Sequence, residues 1–186
     1  MKSSNISRRG LLRAFAATAL TAAPFYANAA GVLRGAGDVR RITMRSQRTA
    51  ESIDIIYWVQ GHYIEEALTE INKFMRDWRQ NEVIAYDRNN IDILAATHRL
   101  LETDEPYLML SGYRSPATNA MLAARSRSVA SNSYHIRGMA ADLRLSSRSS
   151  SQMAAAAIAT KAGGVGRYGR SNFVHMDSGP VRTWRR

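Results

Sequence analysis

The chain has 186 residues, with 26 Lys and Arg against 15 Asp and Glu, a formal charge of +11, and no cysteine. Without cysteine there can be no disulfide, no thiolate metal site and no cysteine-linked lipid anchor. The excess of basic residues either favours a polyanionic partner or serves solubility alone.

In chain order, the first predicted element is an export signal. Lys2, Arg8 and Arg9 precede an apolar, alanine-rich run from Leu11 to Ala23, and Ala27-Asn28-Ala29 offers a small-x-small cleavage pattern. That run is too short to span a bilayer comfortably, so no transmembrane anchor is expected in the mature form. Ser7-Arg8-Arg9-Gly10-Leu11-Leu12 resembles the twin-arginine motif. On that reading the twin-arginine translocation machinery is a partner and the periplasm the destination. A general-secretory signal that happens to hold two arginines is the other reading. Residues 1–29 are therefore taken as a signal peptide. The mature chain then has 157 residues and a charge of +7, a length that fits one domain. Export argues against nucleic acid as the polyanion. Peptidoglycan, whose stem peptides carry carboxylates, is the anion most available outside the cytoplasm.

Residues 30–41 are Gly-rich and basic, a lead-in. Arg41 to Arg45 and Ser52 to Val59 have strand character, with a turn at 46–51. Tyr63, Ile64, Ala67, Leu68, Ile71, Phe74, Met75 and Trp78 follow helical spacing and predict an amphipathic helix over 62–79. A second helix is predicted over 91–102. His98 at the edge of its stripe and His62 before the first helix read as surface or boundary histidines, not ligands. Pro106 to Leu110 reads as a buried strand. Ser115 is a good N-cap with Pro116 at the first helical position, and that helix should run to about Arg125. Arg114 then stands at a helix N-terminus, where it can bind a carboxylate or oxyanion or make a structural salt bridge. Ala140 to Leu145 should be a strand carrying Asp142. The serines at 146–151 can cap a helix over 152–161 that Gly163-Gly164 ends. Residues 165–168 and 172–177 should form a hairpin, with Phe173, His175 and Asp177 on one strand face.

Of four histidines, two fall in the last third, as Ser133-Tyr-His135-x6-Asp142 and Phe173-Val-His175-Met-Asp177. Each shares its segment with an aspartate. Two imidazoles and one carboxylate are a common catalytic zinc set, because a fourth tetrahedral position stays open for water. Spacing alone leaves coincidence open.

Four ordered blocks carry a resemblance. Ser111-Gly-Tyr-Arg-Ser-Pro-Ala-Thr-Asn119, Ser133-x-His135-x-x-Gly138-x-Ala140-x-Asp142, Gly163-Gly-Val-Gly166 and Phe173-Val-His175-x-Asp177-x-Gly179-Pro-Val-Arg-x-Trp184 resemble the exported murein endopeptidases. Those are related to the zinc D-Ala-D-Ala carboxypeptidases and, more distantly, to the Hedgehog signalling domain. Tyr57-Trp58 and Arg76-Asp77-Trp78-Arg79 also fit. The resemblance implies an α+β fold, a small, mainly antiparallel sheet packed by helices, with residues 30–50 as lead-in and first strand and 51–186 as a zinc peptidase domain. It implies one zinc per chain held by His135, Asp142 and His175, with water as fourth ligand. It also implies Arg114 at the substrate or oxyanion, Ser133 near the substrate, and peptidoglycan stem peptides or cross-links as substrate.

Two departures accompany it. The carboxypeptidase relatives carry a general-base glutamate three residues before the last histidine; here that position is Asn172. By the strand-face argument Asp177 is the expected base, with orientation of His175 as its alternative role. Gln47-Arg-Thr-Ala-Glu51 lacks a histidine that close relatives often have in that turn. Three rivals follow: a zinc-containing peptidoglycan-binding or regulatory protein without activity, a D-Ala-D-Ala-type carboxypeptidase, and a basic nucleic-acid-binding protein, for which no motif is present.

Overall fold

The structure is a computed structural model that describes residues 38–127 and 129–186. The expected export signal and most of the lead-in lie outside these residues. The architecture is the α+β arrangement expected from the sequence. Among the described residues, eight strands form one sheet: β1 (Val39–Ser46), β2 (Ser52–Val59), β3 (His62–Tyr63), β4 (Tyr107–Ser111), β5 (Ala140–Arg144), β6 (Gly164–Tyr168), β7 (Phe173–Asp177) and β8 (Arg182–Arg185). Their spatial order is β3-β2-β1-β4-β5-β7-β6-β8. The pairs β1–β4 and β6–β8 are parallel and the rest antiparallel.

Four helices complete the described chain: α1 (Glu65–Phe74), α2 (Arg88–Leu100), α3 (Pro116–Arg125) and α4 (Ser150–Ala159). Helix α1 buries Ala67, Leu68, Ile71 and Phe74 at i, i+1, i+4 and i+7, the stripe of an amphipathic helix. With Ile91, Leu94, Met153 and Ala157 from α2 and α4, that stripe meets Ile42 and Met44 of β1, Leu143 of β5, and Val174 and Met176 of β7 in one core. None of these helices is long and apolar enough to cross a membrane.

Local signals account for most helix starts. Asp87 accepts from the Asn89 N–H, Ser115 from Thr118, and Ser149 forms a capping box with Gln152. Several boundaries differ from expectation. The helix expected over 62–79 is shorter at both ends, because His62 and Tyr63 pair with β2 and because the chain leaves the helix at Met75. There the Met75 carbonyl accepts from Tyr113 (2.8 Å), and the Asp77 carboxylate accepts from the N–H groups of Arg79 and Ser115 (2.9 Å each). Long-range backbone pairing thus competes with the helical ladder. The first left-handed residue after α4 is Lys161 (φ 54°), and Gly163 two positions on is left-handed as well (φ 71°). Strand β8 was not expected; its residues find a ladder partner only once β6 is in place.

Candidate active site

Two successive rows on one face of the sheet run in register across its strands. One runs Ser111, Asp142, His175, Gly166, Trp184 from β4 to β8. The next runs Ala140, Asp177, Gly164, Arg182. Paired residues on neighbouring strands share a face, so Asp142 and His175 meet directly. Both rows have glycine on β6. A Cβ on Gly166 would sit 2.3 Å from the Trp184 ring, and one on Gly164 would sit 2.3 Å from an Arg182 guanidinium nitrogen and 2.6 Å from Asp177 Oδ2. The missing side chains let Trp184 reach within 5.3 Å of the His175 ring, centroid to centroid. They also let Arg182 reach Asp177.

His135 comes from a 3-10 turn (Tyr134–Arg137) capped by Ser133, whose Oγ accepts from the His135 N–H. Its Nδ1 lies 2.7 Å from the Gly112 carbonyl oxygen. A carbonyl only accepts, so Nδ1 carries the proton and Nε2 presents a lone pair. For His175, Nε2 lies 2.9 Å from Asp177 Oδ2, which leaves Nδ1 as the lone-pair atom by the same reasoning. Those two atoms and Asp142 Oδ1 converge. Nε2 to Nδ1 is 3.2 Å, Nδ1 to Oδ1 is 2.9 Å and Nε2 to Oδ1 is 3.3 Å. Ligand atoms ~2.0–2.1 Å from a tetrahedral zinc stand ~3.3 Å apart, so the set fits that ion closely. Among the described residues this is the group of His and acidic side chains with metal-binding geometry.

All three are nearly buried: His135 is 2% exposed, Asp142 and His175 8% each. Three lone pairs converging at ~3 Å repel one another and need a cation between them. Without metal, a proton can serve. Burial opposes charge on His175, but hydrogen bonds to Asp142 and Asp177 outweigh it and push its pKa up to about 9. Burial lowers the pKa of His135. Burial would raise that of Asp142, yet the two histidines hold it well below the carboxylate range.

Arg114 sits at the N-terminus of α3, as expected. Its Nε donates to Ser111 Oγ (2.8 Å) and a terminal nitrogen donates to Asp142 Oδ2 (2.6 Å). It thereby fixes the carboxylate with Oδ1 turned toward the histidines. Arg114 and Ser133 both line the open pocket above His135, Asp142 and His175, a cavity of about 390 Å³ walled by Tyr134, Tyr168, Phe173 and Trp184.

Asp177 is placed beside His175 by the expected strand face, but it lies behind the ring and does not line the pocket. Its Oδ2 accepts from His175 and Arg182 (2.7 Å). Its Oδ1 accepts from Arg182 and Gly179 (2.9 Å each) and from Gly164 (3.2 Å). Burial would raise its pKa, yet these donors hold it far below the usual range. Asn172 is exposed in the β6–β7 turn (φ 49°), outside the pocket lining, and its carbonyl accepts from Arg144. Asp142 is the acidic side chain in that lining. His62 is exposed, and His98 bonds the Glu105 carbonyl far from the site.

Sequence reasoning missed Arg182, Trp184 and the two glycines beneath them as site residues. In the sequence reading Gly164 belongs to a helix end and only Gly166 to the expected strand, so the bare face they share emerges once β6 is seen to begin at Gly164.

Residues 34–184 match the family described as Peptidoglycan L,D-endopeptidase MepK. The chain is 43% identical over 145 residues to the Peptidoglycan L,D-endopeptidase MepK of Escherichia coli K12, covering 78% of this chain and 80% of that protein. The same figures hold for the protein of that name from Shigella flexneri. A Probable peptidoglycan L,D-endopeptidase MepK from Haemophilus influenzae Rd is 36% identical over 147 residues, 78% of this chain and 79% of that one.

Proposed function

The chain belongs to the peptidoglycan L,D-endopeptidase MepK family, and from that premise we propose that it is a zinc-dependent murein endopeptidase. It would hydrolyse an amide in stem peptides or cross-links during cell-wall remodelling. The convergence of three lone pairs from His135, Asp142 and His175 at the floor of an open pocket carries this reading. Those three residues would hold one zinc per chain. When bound, zinc supplies a water acidified to near neutral pH and a Lewis acid for the scissile carbonyl.

The protein's own groups divide the remaining work. Arg114 holds Asp142 in its ligating pose and faces the pocket, where it can bind a substrate carboxylate or the oxyanion that forms at the scissile carbonyl. The Ser133 hydroxyl borders the same space and can bond a substrate amide. For Asp177 we favour the positioning role over that of proton acceptor. Five hydrogen bonds hold it behind His175, and they fix the tautomer that turns Nδ1 into the site.

A second reading is a peptidoglycan-binding or regulatory protein that keeps the metal and performs no hydrolysis. The observation in its favour is that Asp142, a ligand in this scheme, is the acidic side chain in the pocket lining. Isolated murein sacculi incubated with the purified, zinc-loaded protein separate the two. Released muropeptides, identified by mass spectrometry, support the endopeptidase; loss of terminal D-Ala alone assigns a carboxypeptidase; sacculi retained intact with bound protein assign the non-catalytic reading. Elemental analysis of the same preparation tests for zinc.

The N-terminal pattern supports export to the periplasm by the twin-arginine route, with a mature chain starting at Ala30. Sequencing the N-terminus of the exported protein tests the cleavage site. Normal export of the doubly substituted Arg8→Lys, Arg9→Lys chain would remove the route and leave secretion.

A further inference from the structure

A second groove lies at the β4 end of the row that ends in Trp184. Arg48, Arg76, Trp78, Arg79, Ser111 and Gly112 are among its lining residues. Ser111 holds Arg114, and the Gly112 carbonyl holds His135, so residues that line this groove bond residues of the candidate active site, although no residue lines both. Its arginines are not equivalent. Arg76 is neutralised by Glu51, which takes two hydrogen bonds of 3.0 Å from its terminal nitrogens. Arg48 and Arg79 form no salt bridge among the described residues. Arg79 is half-buried, and its guanidinium lies 4.4 Å above the ring of Trp78, which is 41% exposed.

This arrangement is costly to the free protein. Burial lowers the pKa of Arg79; Asp77 opposes that, while Arg48, Arg114 and Arg125 lower it further. Asp77 relieves part of this, with its two oxygens also accepting backbone N–H bonds from Arg79 and Ser115, but burial and the neighbouring arginines outweigh it. Several guanidinium groups therefore repel one another around one partly desolvated member. An anion in the groove would remove that repulsion and accept hydrogen bonds in the fork geometry that carboxylates fit. Trp78 adds an exposed apolar surface beside the charges. Because Ser111 and Gly112 stand between the groove and the site residues they bond, an occupant of both would be one extended molecule.

We propose that Arg48 and Arg79, with Trp78 beside them, form a subsite for a free carboxylate of the substrate peptide, on the arm that extends from the scissile amide past Arg114. This rests on the peptidase reading for the nature of the occupant. The charges favour a carboxylate, and Trp78 packs the aliphatic part of the residue that bears it.

Calorimetric titration of the full mature protein with an uncross-linked stem tetrapeptide tests this, using the peptide with free carboxylates and the same peptide amidated. The wild type binds the free acid about tenfold more tightly than the amide. The doubly substituted R48A/R79A protein loses about that factor on the acid and binds the amide like the wild type. R48E, at an exposed position that any folding defect spares, weakens the acid further and leaves the amide unchanged. R99A, which removes the same charge from exposed α2 surface, binds both peptides like the wild type. The proposal is overturned if R48A/R79A and R48E bind the acid as tightly as the wild type. It is overturned equally if they lose the same factor on the amide. If the acid–amide difference depends on Arg48 and Arg79 while sacculi stay uncut, the subsite stands and the catalytic reading falls. If sacculi are cut and the difference is absent, the subsite alone falls.

Discussion

Two buried carboxylates in this molecule meet opposite fates. Asp92, 2% exposed, faces three donors: Arg40 at 2.7 Å, the Tyr57 hydroxyl at 2.8 Å and the Tyr63 hydroxyl at 2.6 Å. Trp58 stacks under the Arg40 guanidinium at 3.9 Å. The Asp92 charge and its acceptor oxygens are answered from within, although the buried Arg40 Nε has no hydrogen-bond partner, and the cluster ties α2 to β1, β2 and β3. Asp142, 8% exposed, faces Arg114 with one oxygen, but its other oxygen meets two imidazole lone pairs. A cluster of donors and acceptors that closes on itself is structure. A cluster whose acceptors converge requires a cation from outside, and that requirement marks the functional site more sharply than burial or hydrogen-bond count does.

The largest effects should come from the open cluster. His135→Ala and His175→Ala should each drop bound zinc and release of muropeptides from sacculi to background, with the fold retained; full zinc occupancy by elemental analysis in both variants would sink the ligand assignment. The closed cluster should behave in the reverse way. Asp92→Ala leaves Arg40 buried without its carboxylate, which should cost about 3–5 kcal/mol in urea or guanidinium unfolding. Its metal content should match the wild type, and a lost zinc signal would show that the two clusters are not independent.

Asp177 tests how the open cluster is kept open. Asp177→Asn should weaken zinc affinity about 10- to 100-fold, with much of the rate restored by excess zinc. A turnover loss of about 100-fold or more that saturating zinc leaves in place would make Asp177 the proton acceptor. Partial rescue of that loss by Asn172→Glu would then locate a base position in the β6–β7 turn.

The smallest effect concerns a carboxylate at the surface, satisfied like Asp92 but wet. Burial would raise the pKa of Glu105, yet the hydroxyl and N–H groups of Ser146 and the N–H of Ser147 bring it down to about 2. Depressed from its ordinary 4.5, it contributes stability that is present above about pH 4.5 and lost as pH falls toward 2. Glu105→Gln should therefore cost ~1 kcal/mol or less near neutral pH, and unfolding curves of the two proteins should converge at the acid end. A gap that widens on acidification would contradict the linkage.

Much of this was legible in the residues. Period-2 alternation put Phe173, His175 and Asp177 on one strand face and left Val174 and Met176 for the other, which the structure shows in the core. Ser115-Pro116 placed a helix start, and with it Arg114. The ligand types stood out because only four histidines exist and two share their segments with aspartates. These features are set by neighbours within a few positions, through the repeat of strand and helix and the chemistry of caps. Register decided the rest. Whether Arg114 meets Asp142, which imidazole nitrogen carries the proton, and whether Asp177 faces the pocket or stands behind His175 all depend on which strands lie side by side. The helix expected to reach residue 79 stops at Met75 for the same reason, since Tyr113 and Ser115 draw its last residues into long-range bonds. Arg182 and Trp184 enter the site only because glycines on β6 leave room for them to cross from β8. Pairings between distant segments have no local signature, and it is those pairings that turn two histidines and an aspartate into a place for a cation.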